Sequence, residues 1–128
     1  MRELERFKKL FDETFYNKPK LQTDKFYDIW FDLELQRDWL CGPLYSIYTS
    51  GNCDYVFKDK DGRFPEVIDL ESFLKWCIEL VQKYQSQVIN IQTTTSQESE
   101  DKEIILQHAQ KMKDLSRLAY EIQKEHKN

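Results

Sequence analysis

Residues 26–36 read FYDIWFDLELQ, and whether they form a strand or a helix decides the fold. Tyr27, Ile29, Phe31, Leu33 and Leu35 alternate with Asp28, Trp30, Asp32, Glu34 and Gln36, the period-two pattern of a strand with one apolar face. A helix competes for the same residues, because Phe26, Ile29, Trp30 and Leu33 recur at three and four behind a cap at Thr23 or Asp24. The alternation makes the longer run, and it predicts a strand.

Working outward, Gly42 and Pro43 punctuate the chain, and Leu44 to Thr49, rich in Tyr and Ile, predicts a second strand. Ser50, Gly51 and Asn52 supply a turn into a third strand over Asp54 to Lys58. Asp61 and Gly62 can form a hairpin turn that leads back to a short fourth strand near Arg63 to Val67, where Pro65 confines the chain to an edge. The flanks read as helices. Leu4, Phe7, Leu10, Phe11 and Phe15 sit at helical spacing ahead of Pro19, over about residues 2–16. Asp69 caps a stripe of Leu70, Phe73, Leu74, Cys77, Leu80, Val81 and Tyr84, over about 69–88; residues 85–92 extend this helix or form a short strand. Thr93 to Asp101 is polar throughout and reads as a connection. Beyond it, acids early and Lys124, His126 and Lys127 late suit the dipole of a long helix over about 100–126.

The expected fold is therefore α+β: a small antiparallel sheet of three to four strands over about 26–67, flanked by an N-terminal, a central and a long C-terminal helix. Residues 1–92 form the expected core domain and 93–101 the connection. Residues 102–128 form a helix that docks on the core or pairs with another chain.

Composition narrows the functional classes. With 23 acidic against 19 basic residues the chain carries −4, which gives nucleic-acid phosphates no overall attraction. Lys58, Lys60 and Arg63 alternate with Asp59 and Asp61, so no local basic patch replaces it. No apolar run approaches the roughly 18 residues of a membrane span, and Met1 to Lys9 are too charged for a secretory signal. A cytoplasmic location, without membrane or nucleic acid as partner, is the expectation. Cys41, Cys53 and Cys77 are odd in number and widely spaced, which fits free thiols.

His108 and His126 share the final helix about 18 residues apart, hence roughly 27 Å, and cannot hold one metal together. An EF-hand reading of Asp59, Asp61 and Gly62 would need a glutamate where Ile68 stands, and Gly42, Gly51 and Gly62 cannot build a phosphate loop. No catalytic residue, cofactor or metal ligand is assigned, and no enzyme is expected.

If residues 27–35 are a strand, Asp28, Trp30, Asp32 and Glu34 project from one face, an aromatic among carboxylates. Such a face suits a protein partner with a basic surface. The expected function is that of a non-enzymatic acidic protein-binding module, of the kind exemplified by inhibitors and toxin-neutralising immunity proteins. The alternative is a self-associating structural or regulatory module that pairs with a second copy through the stripe Ile105, Met112, Leu115, Ala119 and Ile122.

Overall fold

In the computed structural model, which describes residues 2–51, 57–58 and 67–127, the stretch 26–36 is helical. Among the described residues there are four helices: α1 (Arg2–Phe15), α2 (Tyr27–Ser50), α3 (Leu70–Ile89) and α4 (Ser96–Lys127). The expected α+β architecture is thereby overturned. The only extended pairing among the described residues is a two-residue antiparallel ladder of β1 (Phe57–Lys58) and β2 (Val67–Ile68), with Phe57 opposite Ile68 and Lys58 opposite Val67. The expected turn at Asp61 and Gly62, Pro65 and Cys53 lie outside the described residues.

The helix wins at 26–36 because its apolar spacing does not stop there. Leu33, Leu40, Leu44 and Ile47 continue it for three more turns, and all four are fully buried. The two predicted strands 27–35 and 44–49 are thus parts of α2, joined through Gly42 and Pro43. Proline excludes helical geometry at the preceding residue partly by a clash with its Cβ, and Gly42 has none. What reads as punctuation is tolerated inside the helix. The true stop is Gly51, whose φ of 77° is the left-handed geometry that glycine accepts readily, with its N–H bonded to the Ile47 carbonyl at 2.8 Å.

The other three helices lie close to their predicted spans. In α3, Asp69 caps as expected, its carboxylate accepting from the Ser72 N–H at 2.7 Å, and the helix runs on through Ile89. The connection expected over 93–101 is shorter. Thr95 Oγ1 accepts from the Glu98 N–H at 3.1 Å and the Glu98 carboxylate accepts from the Thr94 N–H at 2.9 Å, so α4 starts at Ser96.

α4 packs chiefly against α3 and α1, and it is the spine of the core. Ile105, Ala109, Met112, Leu115 and Ala119 are fully buried with Phe7 and Phe11 of α1, Leu33, Leu40 and Leu44 of α2, and Leu74, Cys77 and Val81 of α3. Within the chain, α4 thus contributes Ile105 to Ile122 to the core cluster.

The link between α1 and α2 is held by one buried carboxylate. Asp101, fully buried in the first turns of α4, accepts from the Gln22 N–H (2.8 Å), the Thr23 N–H (2.8 Å) and the Thr23 hydroxyl (2.7 Å). Burial works to raise its pKa, but these three donors outweigh it and hold the carboxyl below the usual aspartate range. The Gln22 amide bonds Glu100 at 2.6 Å and Lys25 pairs with Glu98 at 3.4 Å, so the first turns of α4 grip the segment that enters α2.

Two outcomes follow from this packing. Truncation after Gln92 removes the spine and should abolish cooperative unfolding followed by circular dichroism; a cooperatively melting fragment 1–92 would show that α4 is dispensable. Asp101→Ala strands two backbone donors and should cost about 2–3 kcal/mol in urea denaturation; a loss well under 1 kcal/mol would mean that water replaces the carboxylate.

Candidate functional site

On α2 the four residues expected to share a face do not share one. At about 100° per residue, Asp28 and Asp32 fall on one side and Trp30 and Glu34 on nearly the opposite side. Asp28 and Asp32 are exposed. Trp30 is half-buried, its ring 5.2 Å from that of His108 on α4. Glu34 is drawn inward, where its carboxylate accepts from Arg37 at 3.1 Å and lies 3.9 Å from Lys18. The composite of aromatic and acids predicted for 28–34 is therefore split into an outer acidic pair and an inner polar cluster.

The inner cluster is structural. Arg37, only 1% exposed, gives Nη2 to Glu34 and to Asp38 at 3.4 Å, and its Nε and Nη1 have no partner among the described residues. His108 beside it is buried. Desolvation first, then the charges of Arg37, Lys111 and Lys18, push its pKa from 6.5 down to about 4, so the imidazole is neutral at pH 7. A neutral imidazole against Trp30 is packing with a polar edge, and among the described residues its Nε2 has no hydrogen-bond partner. The Cys77 thiol is engaged elsewhere, accepting from the Gln36 amide at 2.8 Å; burial pushes it up far more than that bond pulls it down, which keeps it protonated and unreactive.

The stripe Ile105, Met112, Leu115, Ala119 and Ile122 is spent inside the chain, each residue at most 2% exposed. It offers no face to a second copy. Among the described residues no group of three His, Cys, Asp or Glu side chains could hold a metal, and no helix is long and apolar enough to cross a membrane.

What the chain does offer outward is the far side of α2. Tyr27 is 62% and Phe31 51% exposed, and their rings are stacked at 6.3 Å. From Phe31 a groove of about 550 Å³ runs between α2 and α3. Its α2 wall is Phe31, Leu35 and Trp39, its α3 wall Trp76, Leu80 and Tyr84, and Asp32 lies at the Tyr84 end. Trp39 and Trp76 meet with centroids 6.1 Å apart at the other end, so the two helices run antiparallel along it. Burial, and then the charge of Asp32, raise the Tyr84 pKa.

The electrostatics of the two walls differ. On α3 the exposed charges alternate as Glu71, Lys75, Glu79 and Lys83, each glutamate four residues ahead of a lysine, the order in which such pairs offset each other. On α2 the exposed charges are Asp28, Asp32 and Asp38, and the helix's one cation, Arg37, is buried. Asp28 and Asp32 have no ion pair among the described residues.

Sequence reasoning found Asp28 and Asp32 and missed Tyr27, Phe31, Leu35, Leu80 and Tyr84 as surface residues. Read on a helix, Tyr27, Asp28, Phe31, Asp32 and Leu35 form a repeat of apolar and acidic positions along one side, a signal that the strand reading dissolves. In comparisons with known proteins, the chain matches no family model, no curated protein and no solved structure.

The buried imidazole makes stability acid-sensitive. An unfolded chain takes up the His108 proton near pH 6.5, while the folded chain does so only near 4, so falling pH across that window favours unfolding. This group alone should remove about 3 kcal/mol between pH 7 and 4 and contribute no slope above 7. Urea denaturation at stepped pH should show the loss, and His108→Gln should flatten it; the same slope in the variant would place the proton uptake on another group.

Proposed function

We propose that this chain is a non-enzymatic, acidic protein-binding module that occupies a basic surface of another protein, as inhibitors and immunity-type proteins do. The observation that carries the proposal is the stacked, exposed pair Tyr27 and Phe31 with Asp28 and Asp32 along one flank, Phe31 and Asp32 also lining an apolar groove. Large aromatic rings in water forgo roughly 1.5–3 kcal/mol of burial each, a loss that a partner would recover. Unanswered carboxylates beside them steer a cationic partner and suppress like-charged ones. Aromatic anchors with a charged rim are the usual composition of an interface centre.

The test is capture with a matched control. The purified chain should retain a basic protein from its native source in a salt-sensitive manner, and a Tyr27→Ser, Phe31→Ser double variant should not. Both positions are exposed, so the variant should melt within a few degrees of the parent. Equal retention by a folded double variant would remove this face from the proposal. For an identified partner, Asp28→Asn should slow association and lower its salt dependence, since long-range steering acts mainly on the on-rate.

A further inference from the structure

We propose that the α2–α3 groove is a receptor for one arginine side chain of the partner, stacked against Phe31 and Tyr84 and paired with the Asp32 carboxylate. The inference deepens the protein-binding reading above and names the chemistry of its central contact.

The groove has an apolar floor and a single charged residue. Leu35 and Leu80 face each other from the two helices, Phe31 and Tyr84 stand at one end, and Asp32 is the only ionisable carboxylate among the lining residues. A purely apolar side chain entering there would be buried beside that carboxylate and leave it poorly solvated with nothing in return. A long cationic side chain satisfies both parts, its methylene stem on the leucines and its charged head at Asp32. Between the two cations, a guanidinium fits better than an ammonium. It is planar, it stacks on ring faces, it is more weakly hydrated and it can present two N–H groups to one carboxylate.

The charges around the groove agree. Asp28 stands one turn ahead of Asp32 on the same side of α2, and neither has an ion pair among the described residues. Asp32 and Tyr84 line the same groove from its two walls, so a cation seated there meets a carboxylate and a ring together. Walls made of helices present side chains and no unpaired backbone edge, so recognition here falls to an inserted side chain rather than to main-chain pairing.

The probe is the blocked tripeptide acetyl-Leu-Arg-Leu-amide, with counterparts carrying citrulline or lysine in the central position. Citrulline keeps the planar shape and loses the charge. Titration followed by NMR of the full chain should move the ring signals of Phe31 and Tyr84 and the methyls of Leu35 and Leu80, and leave the indole of Trp30 in place. The arginine peptide should bind about tenfold more tightly than the citrulline one, with lysine between them; a tenfold ratio corresponds to about 1.4 kcal/mol. Asp32→Asn should bring the arginine peptide to the citrulline level without lowering the melting temperature, because Asp32 is exposed. Equal binding of the arginine and citrulline peptides, shifts centred outside the groove, or no saturable shift at millimolar peptide would each overturn the arginine site. If the site fails while capture still depends on Tyr27 and Phe31, the protein-binding reading stands with another anchor. If the groove binds the arginine peptide while capture ignores those residues, the partner does not use the groove, and the arginine contact falls together with this face of the binding reading.

Discussion

A helix can bury only the part of its circumference that its neighbours cover, and α2 carries apolar side chains all the way round. Leu33, Leu40, Leu44 and Ile47 claim the inner side, within the core shared with α1, α3 and α4. Tyr27, Phe31 and Tyr45 are left outside, with Leu35 and Trp39 half-covered at the edge of α3. This excess of apolar surface over available cover is the constraint from which the groove, its aromatic rim and its availability to a partner all follow. A monomer gains nothing from such exposure, which is why an exposed aromatic patch is informative where a scattered exposed leucine is not.

The exposed side can exist because the inner side is firmly fixed. α4 supplies an uninterrupted buried stripe, and the Asp101 carboxylate fixes where the chain enters α2. The buried Arg37 pairs with the half-buried Glu34, and the neutral His108 packs on Trp30, which ties this side of α2 to its neighbours. Truncating such a buried pair leaves a charge uncompensated, whereas exposed Asp28 and Asp32 can change with little effect on folding. The two sides of the helix thus differ: one is locked into the fold, and the other is the side proposed for recognition.

The same excess explains what the sequence could and could not disclose. α1, α3 and α4 each bury one clear stripe, and their spacing, with the Asp69 cap, was legible. α2 was not, because apolar residues at 27, 29, 31, 33 and 35 satisfy a period of two, while 26, 29, 30 and 33 satisfy a period near 3.6. Gly42 and Pro43 then split it into two apparent strands. The continuation through Leu40, Leu44 and Ile47 was the signal that could have decided for the helix. The candidate site was half legible for the same reason. The strand reading grouped the exposed acids Asp28 and Asp32 with the half-buried Trp30 and Glu34, and set Phe31 on the opposite, apolar face. Local pattern fails most where apolar residues outnumber the positions a helix can bury, and α2 is that place in this chain.

Everything proposed for the outer side of α2 depends on residues 27–50 being one helix with Phe31 turned to solvent. Backbone NMR of the free chain tests this most directly. Helical Cα secondary shifts should run from Tyr27 to Ser50 without a strand-like interval, and a soluble paramagnetic agent should broaden the Phe31 ring signals while sparing those of Phe7 and Phe11. Strand-like shifts over 27–35, or a Phe31 ring as protected as Phe11, would contradict the account.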